Sequence, residues 1–428
     1  MLVTEPPPDS PAPAPPAPSN YHSHVPQGWR LVLVIGGLSV FGPLCIDMYL
    51  PALPRISRDL HASTSAVQLT ITACLIGIAI GQLLIGPVSD REGRRRPLLI
   101  GIGAFIASSV ACLLVTNVYV LDGLRFVEGM GGAAGIVIAR AIVRDLFEGV
   151  TAARFFSTLL LVTGLGPIVA PQLGALILRF TSWRGIFVAL AIVGSVLFVT
   201  AFWKAPETLP PERRHTGGLR STMQTVAVVC RDRAFVSYAL VSSLGFGAIL
   251  AYISGSPFVL QDIYHLSPQV FGLVFAMNAM GLVLGAQING HLVRRLGSGV
   301  LLTFGLLVMA AGGTAFLVAV STHRFGLAAV LPSLFALLFG LGFVSPNAMA
   351  LAMQNHPRAA GVASALLGSS QFLFGAAVAP IVGVAGNHDA TPMGVMMVAL
   401  AAAALVLRFS LPRRSGAVIV VPDAVPVP

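Results

Sequence analysis

The chain has 428 residues, 56% hydrophobic and only 10% charged, with a mean hydropathy of +0.86. A soluble domain carries about 25% charged residues, so the composition excludes a soluble globular protein and leaves an integral membrane protein whose core sits in the bilayer. The net charge of +10 does not point to nucleic acid, because most Lys and Arg stand in short loops beside apolar stretches, with no long basic domain.

Residues 1–29 hold no signal-peptide pattern. Their Pro/Ala-rich run from Pro6 to Pro18 cannot bury a core, which predicts a disordered cytoplasmic tail and an uncleaved first span. About 20 apolar residues cross the hydrocarbon core as a helix. The first such stretch, 31–53, contains a carboxylate, Asp47, bracketed by Pro43 and Pro51, so the span is expected to bend there. Asp47 lies six residues before the span's outer end, about 9 Å deep. A charge at a helix centre costs about 2.5–3.5 kcal/mol on insertion scales. That cost favours a proton-carrying site over a structural carboxylate tied to a helix terminus or hydroxyl.

Span 2 covers 66–88 and runs into Gly86-Pro-Val-Ser-Asp90-Arg91-Glu-Gly93-Arg94-Arg95-Arg96. Gly86 and Gly93 permit close approach and tight turning. Asp90 sits where a helix ends and can pair with a neighbouring Arg or a facing helix terminus. The loop reads either as a topological anchor or as a latch on the cytoplasmic side, and the two are compatible. Span 3 covers 97–117.

Span 4, 119–141, holds Arg125, again about 9 Å deep and so level with Asp47. Glu128 follows at i+3 on the same face. It reads either as the intrahelical partner of Arg125 or as a second acidic site. Span 5, 155–179, carries Gly164-Leu-Gly166-Pro167-Ile-Val-Ala-Pro171-Gln-Leu-Gly174. Its prolines bend the helix and its glycines admit a neighbour at backbone distance. Span 6 is 184–203.

A polar linker, 204–234, precedes six more spans at 235–257, 270–293, 299–320, 327–349, 360–386 and 392–411. None of these six spans carries a charge deep within it. Their polar residues are Asn278, Asn347 and Gln371, of which Asn347 and Gln371, with Tyr252 and, from the first span, Tyr49, are candidates for substrate contact or for packing between helices. Phe246 and Phe372 are aromatic candidates for a cavity wall. The expected organisation is a cytoplasmic tail (1–29), a six-helix bundle (30–203), a cytoplasmic linker (204–234), a second bundle (235–411) and a cytoplasmic tail (412–428).

Of the 26 Lys and Arg, 20 fall on the side of both termini and the linker and 5 on the other, with Arg125 inside span 4. The bias predicts that both termini are cytoplasmic. The halves also repeat. Gly86, Arg91 and Gly93 answer to Gly290, Arg295 and Gly297 at an offset of 204 residues, with Arg294 where Asp90 stands. Duplicated six-span halves are the mark of a transporter that rocks about a central site. Cys45, Cys74, Cys112 and Cys230 form no CxxC pair and read as buried small residues. No metal-ligand spacing, nucleophile motif or nucleotide loop appears, so no cofactor, metal or enzymatic activity is expected.

The Gly86–Arg95 loop resembles the G-x-x-x-D-R-x-G-R-[RK] signature of the major facilitator superfamily. The span 5 pattern resembles that of its drug/proton antiporters. Asp47-Met-Tyr-Leu-Pro51-Ala-Leu-Pro54, Ala139-Arg-Ala-Ile-Val-Arg144-Asp145-Leu-Phe147, Tyr252–Gln261, Pro346-Asn347-Ala-Met-Ala-Leu-Ala and Ala360–Gly368 are similar to the bicyclomycin/chloramphenicol resistance (Bcr/CflA) branch. That resemblance implies an all-α, twelve-helix, proton-driven drug antiporter of a bacterial cell membrane. Its partners would be a small-molecule drug, protons and the bilayer, and a monomer is expected. It also implies that Asp47 is the key carboxylate and Arg125 an aid to proton transfer. Glu128 departs from the Gln common in the branch. A solute importer or symporter on the same fold, or a non-transporting receptor or sensor, are the rival readings.

Overall fold

A computed structural model describes residues 29–410, except 148, 206, 215–217, 323–324, 357–358 and 386–388. The predicted tails therefore lie outside the described residues, apart from Trp29. The described residues form fourteen α-helices and no strand. Eleven are long and apolar enough to cross a bilayer, and a bent pair at the start supplies the twelfth crossing.

That first crossing is α1 (Trp29–Asp47) followed by a 3-10 turn (Leu50–Ala52) and α2 (Leu53–Asp59), with a 42° bend between Gly42 and Leu44. The expected bend is present. The span 31–53 is nevertheless not one helix, because α1 stops at Asp47 itself. Pro51 and Pro54 have no N–H to continue the ladder and start the next turns instead.

The first half continues as α3 (Thr64–Glu92), α4 (Arg95–Cys112), α5 (Val118–Leu146), α6 (Gly149–Phe180) and α7 (Arg184–Lys204). The linker is not wholly irregular: α8 (Gly218–Arg231) is an amphipathic helix that buries Val229 against Phe235 while Met223 and Ala227 stay exposed. The second half is α9 (Arg233–Phe258), α10 (Pro268–Leu296), α11 (Ser298–Thr322), α12 (Gly326–Met353), α13 (Ala360–Val382) and α14 (Thr391–Ser410).

α3, α5 and α10 have 29 residues each, about 44 Å, against a hydrocarbon core of about 30 Å. The excess carries Asp90, Arg144, Asp145, Arg294 and Arg295 out on the Arg-rich side as helical residues. Span 4 was expected to end at 141, and its extra turn is what makes Asp145 part of a helix.

The internal repeat extends to backbone detail at the same offset of 204. Gly93 and Gly297 end α3 and α10 at φ +94° and +76°. A Cβ is strained there, which explains why both copies keep glycine. His61 and His265 take φ +49° and +54°. Ser63 and Ser267 then cap α3 and α10, each hydroxyl accepting a backbone N–H three residues on, from Ala66 at 3.2 Å and Val270 at 3.3 Å.

The halves meet mainly along α3 with α13 and α6 with α10. Ser65 donates to the Pro380 carbonyl (3.1 Å), Gln68 to Ser254 (3.0 Å), Thr72 to Ala376 (2.9 Å), and Ser369 to Ala79 (3.0 Å). Gln261 reaches the Pro51 carbonyl and Gln269 that of Ala175. These bonds run from the side opposite the Arg-rich loops to the middle of α3. On the Arg-rich side, by contrast, no ion pair among the described residues joins the two halves: Arg94 pairs with Asp90 and Asp145, and His356 with Asp232, which caps α9 at the end of the linker.

Candidate functional site

Asp47 sits at the break in the first crossing. It is 5% exposed and, among the described residues, accepts no hydrogen bond and joins no ion pair. As the last residue of α1 it stands at the negative end of that helix, where the backbone offers a carboxylate no donors.

Glu128 is in the opposite situation. It is fully buried in α5, ion-paired with Arg125 and bonded by the Ser109 hydroxyl at 2.7 Å. Arg125, also fully buried, uses a second nitrogen to donate to the Cys45 carbonyl at 2.8 Å. That carbonyl is two residues from Asp47. The Tyr49 ring lies over the guanidinium with its centre 4.4 Å away, and the Tyr49 hydroxyl bonds to Thr70 at 2.9 Å. Arg125 and Asp47 were placed at one depth by sequence, but they do not pair. Glu128 takes the charge, and Arg125 instead holds the frayed C-terminal turn of α1, which has spare carbonyls.

Two close helix contacts make this possible. A Cβ on Gly77 would meet the Phe126 carbonyl, and one on Gly129 the Cys74 carbonyl, so α3 and α5 touch backbone to backbone. The Cys45 thiol of α1 and the Cys74 thiol of α3 lie 3.7 Å apart.

The span 5 motif lies against the same break. A Cβ on Gly174 would strike the Met48 carbonyl, one residue from Asp47, and Pro171 and Gln172 face Gly272 of α10 across the seam. Pro167 and Pro171 are inside α6, and Gly166 is buried. Gly164 has open space where a side chain would go, so close packing does not explain it.

Four residues were singled out for substrate contact, and three are sealed in helix packing. Tyr49 is committed to Arg125 and Thr70. Tyr252 stacks on Phe275 and accepts from Asn278 at 3.1 Å; Asn347 donates to Asn289 and to the Phe343 carbonyl. Gln371 keeps some exposure while donating to Ser242 at 2.7 Å, next to the edge-to-face pair Phe246–Phe372. Asn278 Oδ1 and Ser256 Oγ are buried with no partner.

In the Arg-rich loop, Arg94 is the hub. It pairs with Asp90 and with Asp145 of α5 (2.9 Å) and donates to Ser89 (2.8 Å). Glu207, from the linker, accepts the backbone N–H groups of Arg94 (2.8 Å) and Arg95 (3.2 Å). Arg91 is exposed, and Arg95 reaches the Phe202 carbonyl. Gly93 makes the tight turn, whereas a side chain on Gly86 would come no nearer than 4.0 Å to Val137, so close approach is not its role.

Sequence reading missed Cys45 as an acceptor, Ser109, Thr70, Asn289, Glu207 and the seam residues. The seam did leave a signal: Ser65, Gln68 and Thr72 recur at i, i+3 and i+7 along one face of α3.

A family model described as Major Facilitator Superfamily matches residues 35–380. The chain is 42% identical to the uncharacterized MFS-type transporter YdgK of Bacillus subtilis, over 86% of this chain and 91% of that protein. It is 31% identical to the bicyclomycin resistance protein homolog of Haemophilus influenzae, over 85% and 91%. Among solved structures, a D-xylose-proton symporter superposes with a TM-score of 0.71 at 18% identity, covering 90% of this chain and 98% of that one. At that identity the likeness concerns the fold alone.

Proposed function

We propose that this chain, which belongs to the Major Facilitator Superfamily, exports small, largely apolar drugs across a bacterial cytoplasmic membrane in exchange for protons. The Arg-rich face and both termini are cytoplasmic, and the working unit is one chain. The observation that carries this reading is Asp47: a carboxylate buried at a helix break, with no cation or donor among the described residues holding its charge, beside the seam on which the halves must rock.

In this mechanism a proton from outside binds Asp47 and drug is released. The protein rocks so that the site faces inward, and loss of the proton readmits drug. Arg125 cannot give up its own proton. Through the Cys45 carbonyl it fixes the end of α1, and so the place of Asp47. The Arg125–Glu128 pair is a positioning device, not a second carrier. Drug is received by the partly exposed Gln371, Phe246 and Phe372. The Arg94–Asp90–Asp145 cluster, tied to the linker by Glu207, moves with the first half as the latch of the cytoplasmic side. Kinship with a protein named for bicyclomycin resistance supports the substrate class.

The test is uptake of labelled bicyclomycin into everted membrane vesicles, with and without an imposed proton gradient, for wild type and Asp47→Asn. Gradient-dependent uptake that the variant loses, at unchanged thermal stability in detergent, is the expected result. Uptake retained by Asp47→Asn would move the coupling to Glu128. No gradient-dependent uptake by wild type would remove the proposed substrate.

A further inference from the structure

On the outer wall of the second half, away from the seam, α11 and α14 enclose a groove of about 800 Å³ at the Arg-rich end. Its floor is Gly299 and Arg408; its walls are Val300, Phe304, Leu307 and Phe409. Those four side chains are 45–65% exposed, so the groove opens on the bilayer-facing surface. We propose that it binds one anionic phospholipid, with the phosphate on Arg408 and the first turn of α11 and an acyl chain along Phe304 and Leu307.

Arg408 gives one N–H to the Gly299 carbonyl at 3.3 Å, while its Nε is buried without a partner. Among the described residues no carboxylate lies within ion-pair distance of it. A guanidinium at the edge of the hydrocarbon needs an anion to offset its lost hydration. The positive end of α11 points into the same place, and α10 ends two residues earlier with Arg294 and Arg295 in its last turn. Gly299 matters here because a Cβ would lie 3.1 Å from the guanidinium, crowding it.

The depth fits a lipid and not a free ion. Phe304 and Leu307 stand five and eight residues beyond Gly299, about 8 and 12 Å further into the bilayer. An acyl chain is the ligand that joins a phosphate at Arg408 to an apolar wall running inward. With no acid among the described residues that line the groove, the cationic group of a zwitterionic headgroup finds no partner, which selects an anionic one.

Delipidated full-length protein titrated with phosphatidylglycerol or phosphatidylcholine, and weighed by native mass spectrometry, tests this. Wild type should retain one phosphatidylglycerol in preference to phosphatidylcholine. Arg408→Gln should weaken that retention by roughly fivefold, the value of one basic residue at an anionic surface, and leave phosphatidylcholine unchanged. Should Arg408→Gln fold poorly, Val300→Trp fills the groove from an exposed position and should also displace the lipid. Equal retention of both lipids by wild type, or undiminished phosphatidylglycerol binding by both variants, would overturn the proposal. So would displacement of the lipid by millimolar inorganic phosphate, which marks a free-anion site, or an Arg408-dependent dimer, which marks a protein interface.

Discussion

Deep in the bilayer-spanning part of the first half three charged side chains, Asp47, Arg125 and Glu128, lie buried between helices, whereas the buried polar pairs deep in the spans of the second half are neutral among the described residues. There Asn278 meets Tyr252, Asn347 meets Asn289, and Gln371 meets Ser242. Yet the backbones repeat down to the same positive-φ residues and the same serine caps. Duplication thus kept the turns, which any such half needs in order to fold, and left the interior free to diverge. The half that carries charge is the half whose first helix breaks. On the proposed reading, the neutral half serves as the wall against which that charge is presented.

That contrast breaks most readily at Glu128. Glu128→Leu leaves Arg125 sealed with no counter-charge and should cost about 3–5 kcal/mol, read as a lower thermal midpoint in detergent. The double variant Arg125→Met/Glu128→Leu should recover most of that loss, since a well-packed apolar pair is often as stable as the ions it replaces. Recovered folding without recovered gradient-driven transport would separate positioning from packing. A single variant as stable as wild type would mean that the pair holds nothing.

The second half should respond less. Asn289→Leu strands one donor of Asn347, at roughly 1–3 kcal/mol, and Asn289→Leu/Asn347→Leu should come back close to wild type. A loss as large as that of Glu128→Leu would erase the distinction between the halves.

The smallest effect lies outside the bilayer, at the start of α9. Burial pushes the Asp232 carboxyl up, but bonds from the Ala234 backbone N–H, Asn355 and His356 outweigh it and hold the group below its ordinary value. A depressed carboxyl stabilises the fold above its unfolded value, near pH 3.9, and that contribution fades as the pH drops through the folded value. Thermal midpoints followed from about pH 7 down to pH 3 should therefore fall less steeply for Asp232→Asn than for wild type. Parallel curves would show that the cap carries no linked proton.

Local chemistry alone determined the twelve crossings, the repeat, the Arg-rich face and the identity of the three charges deep in the spans. Each follows from hydropathy, charge position or i+3 spacing along one segment. The bend in the first crossing was legible in Pro43 and Pro51, although the stop at Asp47 was not. Only the tertiary structure decided the partners. Depth suggested that Arg125 would serve Asp47, but which neighbour a side chain meets depends on how helices rotate and how closely they approach. The small residues Gly77 and Gly129 draw α5 against α3, which turns Arg125 toward the Cys45 carbonyl and closes Tyr49 over it. Tyr49, Tyr252 and Asn347 look like cavity residues in a sequence because a polar group on an apolar helix has two outlets, a ligand or another helix. In all three the second outlet is taken, and the choice rests on contacts between segments far apart in the chain, which no local pattern encodes.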